Sequence, residues 1–195
     1  MMDGMRLTGT ITPDRPLLVL AVQEEAAHLD TDVPVLLTGI GKINAAASLA
    51  TVLARGDRPS EIINLGTAGA LSSGWMGTHE IAQVIQHDID TPVLKALTGR
   101  TYGDALTVND AAGPTLATGD LFVADEAARA RLAEHAQLVD MEGYALVSVA
   151  RTHEVPIRLI KHVSDEAGAG AGQTWQESVD GCAKVLAEWV REAGF

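Results

Sequence analysis

Runs rich in Val, Ile and Leu punctuate the chain at Leu17–Val22, Val33–Leu37, Glu61–Leu65, Glu80–Ile85, Leu138–Met141 and Ile157–Val163, each bounded by Pro, Gly or Asp. Their length and apolar content predict strands. Between several of them lie Ala-rich stretches with helical spacing, which predict helices over Lys42–Ala54, Asp125–His135, Glu142–His153 and Trp175–Ala193. In the last of these, Trp175, Val179, Cys182, Leu186 and Trp189 fall at steps of four, three, four and three, one stripe for docking on a sheet. That stripe places Cys182 in the core. The segment 71–118 is broken by Gly74, Gly77, Pro92, Gly99, Gly103, Gly113 and Pro114 and reads as short strands and loops.

Alternating strands and helices, with strands apolar on both faces, give the fold class: α/β, a three-layer α/β/α arrangement in which a mixed, twisted sheet is flanked by helices on both faces. A chain of 195 residues that is 47% hydrophobic supports one core, so residues 1–195 are expected to form a single domain.

Charge narrows the partners. Fourteen Lys and Arg against 26 Asp and Glu leave −12, scattered along the chain, which disfavours nucleic acid and anionic membranes. A lone cysteine rules out an intramolecular disulfide and suits a reducing cytoplasm. The start, Met1-Met2-Asp3-Gly4, lacks the basic opening of an export signal, and no apolar run approaches the length that spans a bilayer. The histidines have no metal-ligand spacing, so neither metal nor cofactor is expected.

Three acids stand at or just beyond strand ends, where α/β sheets place their sites: Glu25, Glu142 and Asp165. Each also fits a plainer role, a carboxylate at a helix N-terminus. Gly39-Ile40-Gly41-Lys42 has the look of a phosphate cradle but lacks the full fingerprint, and by itself it is a tight strand-to-helix turn. His162, inside an apolar strand, reads as a hydrogen-bonded core residue. Trp75 and Tyr102 fit either a pocket wall or loop packing.

Taken in order, Ala21-Val22-Gln23-Glu24-Glu25, Thr38-Gly39-Ile40-Gly41-Lys42-Ile43-Asn44-Ala45-Ala46, Ile62-Ile63-Asn64-Leu65-Gly66-Thr67-Ala68-Gly69-Ala70, Thr118-Gly119-Asp120-Leu121-Phe122-Val123, Asp140-Met141-Glu142-Gly143 and Val163-Ser164-Asp165 resemble the 5'-methylthioadenosine/S-adenosylhomocysteine nucleosidases. The resemblance spans most of the chain. It implies hydrolysis of the N-glycosidic bond of a purine-type nucleoside, with a small-molecule substrate and a homodimer. By that resemblance Asp165 is the acid that protonates the purine at N7, Glu142 grips the ribose hydroxyls beside Met141, and Glu25 orients and deprotonates the attacking water. Phe122 stacks on the base and Val123 presents its main chain to the base edge. Thr67, Ala68, Gly69 and Ser164 complete the substrate-binding set.

The same resemblance separates water from phosphate as the acceptor. Phosphorylase relatives carry one arginine in the loop after the first strand and another before the Gly-Ser/Thr turn. Those places here hold Gln23-Glu24-Glu25 and Asn64-Leu65, and a carboxylate repels phosphate. The stretch from Gly66 to Asp120 is also shorter than in those nucleosidases, where it supplies part of the pocket for the 5' substituent and a loop that reaches across the dimer. The alternatives are a hydrolase of another nucleoside such as futalosine, a phosphate-dependent phosphorylase, and a nucleoside-binding sensor without turnover.

Overall fold

The structure, a computed structural model, describes residues 5–56, 58–168 and 171–195. Its elements run β1 (Arg6–Thr8), β2 (Leu17–Leu20), β3 (Val35–Leu37), α1 (Lys42–Leu53), β4 (Ile62–Ala70), β5 (Thr78–Glu80), β6 (Gln83–Gln86), α2 (Thr91–Thr98), β7 (Leu106–Thr107), β8 (Thr115–Thr118), α3 (Glu126–Ala133), β9 (Leu138–Asp140), α4 (Gly143–Thr152), β10 (Ile157–Asp165) and α5 (Ala171–Glu192). The strands form one mixed sheet in the order β1-β3-β2-β4-β9-β8-β6-β7, with β10 on the other side of β4 and β5 beyond it. Among the described residues no helix is long and apolar enough to cross a membrane.

Strand β2 shows why the sheet has helices on both faces. Leu17 and Val19 pack with Leu49 and Val52 of α1 and Leu146 of α4, whereas Leu18 and Leu20 pack with Leu186 and Val190 of α5. Successive side chains of a strand point to opposite faces, so a strand covered on both sides favours apolar residues at every position. Hence the unbroken run Leu17-Leu18-Val19-Leu20.

The central strand β4 is longer than the expected Glu61–Leu65. It continues through Gly66-Thr67-Ala68-Gly69-Ala70, parallel to β10 and then, at Gly69 and Ala70, antiparallel to β9. Small residues are required there because side chains crowd onto the backbone. A Cβ on Gly66 would lie 3.2 Å from Lys161 Nζ and 3.3 Å from Glu25 Oε1, and one on Gly69 would lie 3.2 Å from Asp165 Oδ1. Since β9 runs antiparallel to β4, its carboxyl end heads back along β4 and carries Asp140, Met141 and Glu142 toward Thr67.

Two expectations are corrected. Glu80–Ile85 is not one strand: the chain leaves β10 after Glu80 and rejoins the sheet beside β8 at Gln83, with Ile81 and Ala82 making the crossing. The segment 71–118 also contains a helix, α2. Asp90 caps it by accepting from Val93 N at 3.1 Å, Pro92 sits in its first turn, and Gly99 closes it at φ 72°. Pro92 and Gly99, read as interruptions, are the opening and closing residues of a short helix. The final helix likewise starts at Ala171, ahead of Trp175.

Candidate active site

Glu25 lies in the turn after β2, away from any helix start. Its Oε1 accepts from the Thr67 backbone N–H at 2.7 Å and from Thr67 Oγ1 at 2.9 Å, while Oε2 accepts from Ala21 N at 3.3 Å. Glu142 does stand at the N-cap position just before α4, yet its side chain makes no capping bond. Its Oε1 accepts instead from Gly41 N at 2.8 Å, joining the turn before α1 to the end of β9. Asp165 ends β10; its Oδ2 accepts from Ser164 Oγ and its Oδ1 from Ala167 N, both at 2.8 Å. The helix-terminus role therefore accounts for none of the three side chains.

All three line one cavity of about 260 Å³, together with Thr67, Ala68, Gly69, Phe122, Val123, Met141 and Ser164. Every residue singled out from sequence for substrate contact is thus brought to a single space. Phe122 stands 51% exposed at its rim with Leu121 and Ile40, an apolar edge left open to solvent. The Gly39–Lys42 turn cradles carboxylates: Gly41 N is taken by Glu142 and Lys42 N by Asp120 Oδ1 at 2.7 Å.

Beneath the cavity is an ion pair that the sequence reading did not assign. Lys161 Nζ lies 2.9 Å from Asp140 Oδ2, with both side chains almost wholly buried. Asp140 also accepts from Thr118 Oγ1 at 2.6 Å and Gly143 N at 2.8 Å, so each of its oxygens is hydrogen-bonded. Burial alone would depress the Lys161 ammonium, but Asp140, Glu142 and Glu25 outweigh it and hold the group above its ordinary value. The reverse holds for Glu142. Burial, then Asp140, pushes its carboxyl up to about 8, against the opposing pull of Lys161 and the Gly41 N–H.

One ammonium therefore serves three neighbouring carboxyls, and the cluster is short of positive charge. The available signal was Lys161 itself, a cation directly after the apolar Leu159-Ile160 of a strand, which is tolerable in the interior only with a partner.

Trp175 is a further correction. Its place in the helical stripe predicted packing on the sheet, as Val179, Cys182 and Leu186 do. Trp175 instead lines the cavity and donates its indole N–H to Thr67 Oγ1 at 3.0 Å. His162 pairs through Nδ1 with Thr78 Oγ1 at 2.8 Å, the hydrogen bond expected of it, although it is only half-buried and outside the core. Trp75 packs edge-on against His79 at 5.1 Å and lines a neighbouring cavity with His162 and Asp165, whereas Tyr102 is 43% exposed; neither lines the cavity of the three acids.

Comparison with known proteins gives a consistent picture. Residues 27–192 match the Phosphorylase superfamily. The chain is 32% identical to a 5'-methylthioadenosine/S-adenosylhomocysteine nucleosidase of Geobacillus sp. strain WCH70, across 82% of this chain and 78% of that protein. It is also 32% identical to the nucleosidase of the same description from Marinomonas sp. strain MWYL1, across 80% and 76%. Among solved structures, a futalosine hydrolase mutant of Helicobacter pylori strain 26695 superposes with a TM-score of 0.80 at 18% identity, covering 91% of this chain and 97% of that one. The Colwellia psychrerythraea nucleosidase in complex with adenine gives 0.80 at 21% identity, covering 92% and 94%. At those identities the superpositions speak for the fold.

Proposed function

The chain belongs to the phosphorylase superfamily, and from that premise and the geometry of its cavity we propose that it is an N-ribosyl hydrolase, cutting the glycosidic bond of a purine-type nucleoside of the 5'-methylthioadenosine/S-adenosylhomocysteine kind. The observation that carries this reading is the convergence of Glu25, Glu142 and Asp165 on one cavity with an aromatic at its rim.

Breaking the C1'–N9 bond leaves positive charge on the ribose and negative charge on the base. Asp165 protonates the leaving base, which removes the second problem. The cluster around Lys161 addresses the first. With three carboxyls sharing one ammonium, the developing ribosyl cation arrives where positive charge is missing, and interactions that strengthen only at that moment lower the barrier. Glu142 in its ionised form faces the ribose, where its charge favours the cation as it develops. Water adds to C1' and passes a proton to Glu25.

Water is favoured over phosphate because four of the cavity's lining residues are carboxylic, Glu25, Asp140, Glu142 and Asp165, and none is Arg or Lys. The Gly41 and Lys42 amides that could greet an anion are already engaged by carboxylates. The reading includes a homodimer, supported by the exposed Ile40, Leu121 and Phe122 at the cavity mouth, and a cytoplasmic setting, supported by the unpaired Cys182.

The test is release of free base from methylthioadenosine, adenosylhomocysteine, adenosine, inosine and futalosine, each with and without inorganic phosphate. The expected result is release without phosphate, free ribosyl product, and preference for the 5'-thio substrates. Ribose 1-phosphate as product, or intact nucleoside bound to stoichiometric protein after prolonged incubation, would replace the hydrolase with a phosphorylase or a sensor.

A further inference from the structure

Trp175 reaches the cavity wall from the first turns of α5, and its Nε1–H points at Thr67 Oγ1, 3.0 Å away. An indole nitrogen can only donate. It therefore fills a lone pair of the hydroxyl and leaves the single Thr67 proton free to go elsewhere. The acceptor in reach is Glu25 Oε1 at 2.9 Å. The direction of the chain is fixed: Trp175 donates to Thr67, and Thr67 donates to Glu25.

The two oxygens of Glu25 are consequently unequal. Oε1 takes both the Thr67 hydroxyl and the Thr67 backbone N–H at 2.7 Å, while among the described residues Oε2 takes only the Ala21 N–H at a long 3.3 Å. Oε2 retains the capacity to accept a proton. We propose that Trp175 is a positioning residue which, acting through the Thr67 hydroxyl, selects Oε2 of Glu25 as the oxygen that deprotonates water, so that seating of α5 over the pocket and readiness of the base are one event.

This rests on the reading of Glu25 as the base. The proton count closes: one water proton passes to Glu25 Oε2 as the oxygen bonds to C1', the departing base leaves with the proton of Asp165, and both carboxyls then exchange with solvent to their starting states. A second tie holds the same helix in place, Ser178 Oγ donating to the Ser164 carbonyl at 3.2 Å beside Asp165. The head of α5 is thereby joined to the segments bearing both the base and the acid.

Trp175→Phe keeps an aromatic wall and removes the N–H. Its expected effect is a loss of kcat of about three- to tenfold with KM within about twofold of wild type, the scale of one neutral hydrogen bond lost from the chemical step. In a Thr67→Val background, where the relay is already cut, the same change should alter kcat by less than about twofold; in Thr67→Ser, which keeps the hydroxyl, the full loss should return. Thermal melting of each variant checks folding. Independently of turnover, the indole proton of Trp175 should exchange slowly with solvent in wild type and fast in Thr67→Val, followed by NMR on ¹⁵N-indole protein. Equal kcat losses in wild-type and Thr67→Val backgrounds, or an indole proton as labile in one as in the other, overturns the relay while hydrolysis stands. Wild-type protein that releases no base overturns the functional reading and the base role with it.

Discussion

Lys161 and Asp140 meet at 2.9 Å in the interior, one from the central part of β10 and the other from the end of β9, and the pair joins two strands that do not hydrogen-bond to each other. Its energetic meaning lies in what happens when it is broken. Removing one partner leaves a charge without compensation on an almost wholly buried side chain, so Lys161→Met should cost about 3–5 kcal/mol of stability. Adding Asp140→Asn should recover most of that loss, because the stranded charge is gone. Urea unfolding of the two single variants and the double variant measures the coupling. A cost for Lys161→Met below about 1 kcal/mol would mean that water reaches the pair.

Asp165→Asn separates chemistry from architecture. The amide oxygen can still accept from Ala167 N, and its NH₂ can donate to Ser164 Oγ, so both contacts at the end of β10 survive in altered form. What disappears is the proton for the leaving base. Turnover should fall by about two to four orders of magnitude with the melting temperature nearly unchanged. Activity within a small factor of wild type would assign leaving-group protonation to another group.

The layers of the fold were legible because burial on both faces writes itself into sequence: Leu17-Leu18-Val19-Leu20 cannot be mistaken for a surface strand. Glu25, Glu142 and Asp165 each follow an apolar run, but that spacing fits a helix-terminal carboxylate as well, and it was the resemblance of the surrounding motifs to the nucleosidases that singled them out. The hidden parts depend on partners distant in the chain. Gly66 and Gly69 broke the strand pattern, although they continue β4 and are small so that Lys161, Glu25 and Asp165 can crowd onto it. Trp175 matched the periodicity of a docking stripe, and only the third dimension shows that its turn of α5 overhangs the cavity. Nothing in the local pattern distinguishes Pro92 opening a helix from Pro92 breaking one until Asp90 is seen capping Val93.

Phe122 has little to do with holding the fold, being half exposed in the loop after β8. Phe122→Ala should leave the melting temperature within a degree or two and raise KM about three- to tenfold, as expected for loss of one aromatic stacking contact. Competition by free adenine, followed as inhibition of base release, should weaken in parallel. A variant with unchanged KM would remove Phe122 from the base subsite.

Glu142 ties the site to the stability of the whole molecule through pH. A carboxyl whose value rises from 4.5 when unfolded to about 8 when folded binds more protons in the folded state between those limits. Folding is therefore strengthened by this group at low pH, and the contribution is lost as pH climbs through that window. Lys161 acts at the other end: held above 10.5, it contributes fully below that value and loses its contribution only at higher pH. Between about pH 4.5 and 8 the Glu142 effect is thus separable from that of Lys161. Glu142→Gln keeps an oxygen for the Gly41 N–H and cannot ionise, so it should melt close to wild type near pH 4.5 and several degrees above it near pH 8, while losing turnover because the ribosyl cation has no carboxylate to meet. Calorimetric melting curves for both proteins across that range give the comparison directly. Parallel curves would mean that the folded protein does not hold Glu142 protonated, and that the shortage of positive charge around Lys161 is met in some other way.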